Sequence, residues 1–325
     1  MIIKTQVIYL SCLLLTLFNS QHSPVKVNAD NGIYVFSFGD NTFSVSAQTG
    51  GRIISYTCKG KELLTSSSTH SVNYGATLWP SPQSNWGWPP YPGLDTEPYE
   101  AVLTGDTLLL VSRPDSASGY LFRKKFYVTP EDGAINIVYS ITDISKNSKS
   151  VAAWDVCRTS GGVAFFPVDE TPASLPSSNL TGVAVENGIL WYSFHPELLT
   201  KSQKLFSTAK EGWLAHVRDG LLFIKTFPDI PVSALPPKQG EVEIYANEKG
   251  LYIELENHGS YTTLQPGETL VYPQKWYLRT IKETAAHDKL LQIVYKTIKR
   301  FSLSPTAASS ATQSTREATQ PETLR

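Results

Sequence analysis

From Ile33 to Lys282 short runs rich in Val, Ile, Tyr, Phe and Thr alternate apolar with polar residues, and turn residues interrupt them. A period of two marks half-buried strands. It predicts strands at Tyr34–Phe38, Thr42–Ala47, Arg52–Cys58, Thr107–Val111, Tyr120–Val128, Ala134–Ile144 and Val151–Arg158. Further strands are expected at Ile189–Phe194, Trp213–Arg218, Leu221–Phe227, Glu241–Ala246, Leu251–His258 and Thr269–Ile281. Asp40-Asn41, Gly50-Gly51, Glu131-Asp132-Gly133, Asp219-Gly220 and Gln265-Pro266-Gly267 supply turns between them. No helix-length periodic run separates these strands, so an all-β, antiparallel two-sheet sandwich is expected rather than an α/β fold. One helix is predicted over Thr284–Phe301, where Leu290, Leu291, Val294, Ile298 and Phe301 recur at spacings of three and four.

The two ends follow other patterns. An apolar run from Val7 to Phe18 follows a single charge, Lys4. It is too short for a comfortable bilayer span and suits the core of a signal peptide. Val27-Asn28-Ala29 offers a small-residue cleavage pattern, so residues 1–29 are expected to be a leader, cleaved between 20 and 29. The mature chain would then carry no transmembrane segment and be secreted or periplasmic. Cys12 lacks the small residues that precede a lipidated cysteine, so no lipid anchor is expected. Residues 301–325 are small, polar and proline-bearing, the composition of a disordered tail. A single domain over 30–300 remains.

Composition narrows the classes. The chain of 325 residues is 41% hydrophobic and only 18% charged, with a net charge of -1, so it can build one large core. No basic stripe is present, which argues against a nucleic-acid partner. Cys58 and Cys157 would remain after export, equally readable as a disulfide or as two buried thiols. There is no CxxC and no His/Cys cluster at zinc spacing, so neither a metal nor another cofactor is expected. No Gly-x-Ser-x-Gly elbow occurs either, which argues against a common serine hydrolase.

Three segments could carry chemistry. Gly75–Tyr99 (GATLWPSPQSNWGWPPYPGLDTEPY) sets Trp79, Trp86, Trp88, Tyr91 and Tyr99 among prolines. Proline removes ladder donors, so the segment is expected to be an ordered loop rather than a central strand. Its rings could stack on the C–H face of a sugar, with Gln83, Asn85, Asp95 and Glu97 bonding hydroxyls, or they could simply plug one end of the sandwich. Along Leu251–His258 the period of two places Tyr252, Glu254, Glu256 and His258 on one face. Two carboxylates so placed lie roughly 6–7 Å apart. Enclosed, their like charges would raise one pKa and prepare an acid/base pair; solvated, they would be an ordinary strand face. In Val151–Pro167, Trp154 and Arg158 share a face opposite Asp155, and Arg158 could hold a carboxylate or a pair of hydroxyls. His70, His195, His216 and His258 are further acid/base candidates.

TFSVSAQTGGRIISYTCKGKELL (Thr42–Leu64) resembles the start of galactose mutarotase-like domains, with strand, Gly-Gly-Arg-Ile turn and second strand. GATLWPSPQSNWGWPP, AWDVCRTSGGVAFFP and YIELENHGSYTTLQPGETLVYPQKWYL resemble a bacterial family within that superfamily, domain of unknown function 4380. The similarity spans about Thr42 to Arg279. It implies a β-supersandwich with one C-terminal helix and a broad concave cleft that receives sugars. True aldose 1-epimerases pair a Glu base with a His acid, and by position Glu254 or Glu256 could take the Glu role. The counterpart of their His-bearing strand, Ala153–Thr159, offers Asp155 and Arg158 and no histidine.

The expectation is therefore an exported carbohydrate-binding or carbohydrate-modifying protein. Trp79, Gln83, Trp86 and Trp88 would rim the cleft, with Arg158, Lys225, Glu254 and Glu256 as its polar floor and Glu254 or Glu256 as base for epimerase-like or lyase-like chemistry. A mono- or oligosaccharide is the partner. A non-catalytic saccharide-binding or structural envelope protein is the alternative, and the sequence does not decide whether the chain is an enzyme.

Overall fold

Two antiparallel sheets face each other in the computed structural model, which describes residues 24–169, 174–282 and 285–299. The tail expected at 301–325 and the apolar run of the expected leader lie outside the described residues. All thirteen strands anticipated from the alternation are present within two residues of their expected ends.

Among the described residues the first sheet has eleven strands and the second ten. In the half of the first sheet that matters here, Arg52–Cys58 is followed in space by Ala76–Ser81, Lys149–Thr159, Ile253–His258, Val242–Ala246 and the edge strand Gln203–Ser207. The register is fixed by pairs such as Arg158 with Glu254, Trp154 with His258 and Glu243 with Glu256. At the opposite edge a hairpin through Asn31-Gly32 pairs Lys26–Asp30 with Ile33–Phe38, so ordered structure begins ahead of Asp30 and Val27–Ala29 lies inside a strand.

Gly75–Tyr99 is a loop only in part, despite its prolines. Ala76–Ser81 is an interior strand, paired along its length with Lys149–Thr159. It tolerates Pro80 because its pairing with Arg52–Cys58 is confined to Ile53 and Ala76. Pro80 therefore faces an edge without a ladder, and its carbonyl there accepts a hydrogen bond from Trp86 Nε1 at 2.7 Å. The rest of the segment, with Ser81–Pro82 and Trp88–Pro89 in the cis form, is an ordered loop as expected.

The core lies between the sheets. Ile253 and Leu255, Val242 and Ile244, and Cys157 and Ala153 turn inward against Phe223, Trp276, Tyr139 and Phe126. Cys58 and Cys157 are both buried and unpaired, so the disulfide alternative falls. The C-terminal helix runs His287–Lys299 and buries Leu290 and Val294 against the sandwich, within the stretch anticipated. Among the described residues no helix is long and apolar enough to cross a membrane.

One buried ion pair crosses this core. Lys225 Nζ contacts Asp155 Oδ2 at 2.5 Å and the Leu255 carbonyl at 3.1 Å, while Tyr139 donates to Asp155 Oδ1 at 2.9 Å. Both charges are fully buried, so their attraction offsets desolvation only while the pair is intact. Lys225→Met should destabilise the fold by about 3–5 kcal/mol because it strands the Asp155 carboxylate. Lys225→Met combined with Asp155→Leu should recover much of that loss, and urea denaturation of the single and double variants checks it.

Candidate functional site

The alternation that sends Ile253, Leu255 and Asn257 into the core sends Glu254, Glu256 and His258 to the outer face of the first sheet. Neighbouring strands add Trp79, Trp154 and Arg158 on one side and Glu243, Tyr245 and Lys204 on the other. On this face Trp79, Trp154 and Val156 form a small apolar cluster separate from the main core, with Trp86 packed against it. A cleft of about 590 Å³ opens beside it, lined by His70, Val72, Asn73, Trp79, Gln83, Trp88, Pro89, Trp154, Lys204, Tyr245, Asn247, Tyr252 and Glu254. The aromatic loop and the acidic strand thus border one cleft.

One wall is held by a salt bridge. Arg52, delivered by the Gly50-Gly51 turn, is buried and places Nη2 3.1 Å from Asp95 Oδ2. The other Asp95 oxygen accepts Trp79 Nε1 at 2.8 Å. Arg52 Nη1 reaches the carbonyls of Val72 and Tyr74 at 2.7 and 3.1 Å. A single guanidinium therefore fixes Trp79 and the segment carrying His70 and Asn73 relative to each other. The turn itself requires glycine: both residues have positive φ, and a Cβ on Gly50 would meet the Asp95 carbonyl at 2.0 Å.

The floor is a string of paired charges. Glu254 Oε1 accepts Arg158 Nε at 2.7 Å, and the Arg158 guanidinium lies 5.0 Å from the Trp79 ring centre. Deeper down, Lys204 Nζ sits between Glu243 Oε2 at 2.6 Å and Glu256 Oε2 at 3.1 Å, and 5.1 Å above Trp154. Trp154 Nε1 donates to Glu256 Oε2 at 2.7 Å. Gln239 Nε2 and the Gly240 amide each donate to Glu243 Oε1 at 2.7 Å. His258 stacks on Trp154 at 5.1 Å, with Nδ1 3.0 Å from Ser81 Oγ and Nε2 3.4 Å from Glu243 Oε1.

This geometry separates the two carboxylates by protonation. Burial pushes Glu256 up to about 8; Lys204 opposes the shift, and the charges of Glu243 and Glu254 add to it. Burial also acts on Glu243, but Lys204 and His258 outweigh it and hold Glu243 below the usual carboxylate range. Burial keeps His258 below its ordinary value, and the two carboxylates hold Lys204 above its own against the effect of burial. Glu243, Glu256 and His258 could also present three ligand atoms to a cation, being within 4.8 Å of one another, although the Lys204 ammonium already sits against both carboxylates.

The sequence matches the family model described as Domain of unknown function (DUF4380) over residues 36–279. The chain belongs to that family. No curated protein matches it. Among solved structures, a candidate aldose 1-epimerase from Escherichia coli K12 aligns with a TM-score of 0.50 at 14% identity, covering 79% of this chain and all of that one. A candidate aldose 1-epimerase from Klebsiella pneumoniae gives 0.54 at 11%, covering 85% and 86%. A TPR-domain containing protein from Parabacteroides distasonis gives 0.56 at 13%, covering 78% of this chain and 48% of that one. At these identities the likeness establishes the fold, that of the galactose mutarotase-like proteins, and nothing further.

Within this DUF4380 domain Trp79, Gln83, Trp88 and Glu254 line the same cleft. Glu256 lies beneath Lys204, fully buried. Arg158 is buried under Trp79 and reaches the cleft only through Glu254. Trp86 does not line it; the ring packs behind Trp79 and Trp154, at 6.0 and 6.3 Å. Lys225 belongs to the inter-sheet core, because its parity on Leu221–Thr226 points it at Asp155. Asp95, considered for sugar hydroxyls, is spent on Arg52 and Trp79.

Lys204 and Glu243 were missed. Glu243 alternates with Val242 and Ile244 on a strand that was anticipated, so its outward parity was available. Gln203–Ser207 is too short and too polar to announce a strand, which hid Lys204.

Glu256 also makes stability depend on pH. Its pKa is raised in the fold, so between about 4.5 and about 8 the folded state holds a proton that the unfolded state has lost. That contribution to stability is present below pH 4.5 and fades as pH rises through 8. Glu256→Gln should flatten this decline relative to wild type, measured as the difference in urea midpoints across pH 5–9.

Proposed function

We propose that this protein takes a saccharide into the Trp79–Glu254 cleft and performs acid/base chemistry on it there. The observation that carries the reading is the meeting of the aromatic loop and the acidic strand around one hollow. Trp88 is 55% exposed and stands edge-on to Trp79 at 5.9 Å, leaving ring surface for the apolar face of a pyranose. Glu254, Asn73, Asn247 and Lys204 supply fixed hydrogen-bonding groups around it.

Glu254 rather than Glu256 is the base, since Glu254 borders the cleft and Glu256 is sealed beneath Lys204. His70 polarises the ring oxygen. Its Nδ1 accepts the backbone N–H groups of Val72 and Asn73 at 3.2 and 2.9 Å, which leaves the proton on Nε2. Glu254 would take the anomeric hydroxyl proton and pass it to the ring oxygen, which accepts a hydrogen bond from His70 Nε2–H. The C1–O5 bond then breaks to an open-chain aldehyde with a C5 hydroxyl, and reclosure on the other face returns that proton through Glu254 to O1 and gives the other anomer. This supplies the histidine that the Ala153–Thr159 strand lacks.

A non-catalytic reading is favoured by a different observation: each cleft-facing charge is already held by a buried counter-charge, Glu254 by Arg158 and Lys204 by Glu243. Such a floor is suited to fixed recognition. Anomer interconversion of neutral aldoses, followed by NMR, separates the two. The catalytic reading expects Glu254→Gln to slow turnover by about 100-fold or more with binding retained. It also expects Trp88→Ala to weaken binding about tenfold. Binding without turnover in the wild type leaves a recognition module, and Glu254→Gln at full rate removes Glu254 from the chemistry.

A further inference from the structure

Trp86, placed behind the cleft rather than on it, has its other side on a second hollow. This one encloses about 340 Å³, and Trp86, Tyr91, Tyr120, Tyr261, Ser118 and Lys149 line it. Four aromatic rings thus face hydrogen-bonding groups, the same mixture as in the first cleft. Its single ammonium is engaged: Lys149 lies 4.5 Å over the Tyr120 ring and donates to the Ser118 carbonyl. No carboxylate side chain lines it. A neutral, hydroxyl-rich ligand with an apolar face fits that chemistry, whereas an anion would find the cation already occupied.

The two hollows are joined by rings in sequence. Tyr91 is 6.4 Å from Trp86, Trp86 is 6.0 Å from Trp79, and Trp79 is 5.9 Å from Trp88. Trp86 is only partly buried, so the row is open to solvent at that ring. We infer that the second hollow is a further saccharide subsite, and that the ligand is a neutral oligosaccharide lying across Trp86 with one end in the first cleft. The inference rests on the saccharide reading of that cleft. It extends the reading by assigning a site to Tyr91, Tyr120, Tyr261 and Lys149, and by naming chain length as the selected property.

The test is calorimetric titration of the full chain with neutral gluco-, manno- and galacto-oligosaccharides of one to six units. Affinity is expected to rise with length in at least one series. Tyr261→Ala and, separately, Tyr91→Ala should remove about tenfold of the affinity for the longer members and leave the monosaccharide unchanged. Trp88→Ala should weaken every length. Monosaccharide binding that does not improve with length overturns the subsite while leaving the first cleft standing. A length gain untouched by both Tyr variants overturns it as well. Silence of all lengths overturns both readings. Circular dichroism of the two Tyr variants, half-buried at the hollow's rim, confirms that a loss is not one of folding.

Discussion

The site depends on the two-residue period of one strand held between two others. Ile253–His258 is hydrogen-bonded to Lys149–Thr159 on one side and Val242–Ala246 on the other, and its inward residues are committed to the core. A slip of one position would drive Glu254, Glu256 and His258 between the sheets and expose Ile253 and Leu255, an exchange no packing could offset. Register is therefore set by hydrophobic burial on one face, and the chemistry on the other face is placed as its consequence.

What that face carries is expensive. Four ionisable groups, Glu243, Glu256, His258 and Lys204, are packed together with only the lysine partly exposed. Buried ion pairs contribute little net stability, because desolvation consumes most of the Coulomb gain. An apolar layer would serve a sandwich as well. Retaining this cluster under an open hollow, with one carboxyl driven up and its neighbour driven down, is the pattern expected of a functional surface.

Much of this was legible in the sequence. Arg52–Cys58, Trp213–Arg218 and Thr107–Val111 could be placed to the residue, since each is a run of strand-forming residues bounded by turn residues. The Tyr252–His258 face could be read because parity alone decides it. The fate of Pro80 could not, because it turns on where a neighbouring strand stops, a fact of three-dimensional pairing. Nor could Lys225 be assigned to the core, because Leu221–Thr226 is apolar almost throughout and no alternation marks which face meets the other sheet. Asp95 and Arg52 became a clamp through a 43-residue separation that no local pattern encodes.

The Lys149–Thr159 strand has one more implication, for synthesis on the ribosome. Its first partner, Ala76–Ser81, precedes it, but its second, Ile253–His258, follows almost a hundred residues later. While that stretch is being made, the growing chain presents a naked row of peptide groups beside Trp154 and Arg158. Nascent protein of this kind is sticky by construction, so its yield in a cell will be governed by how well that interval is chaperoned.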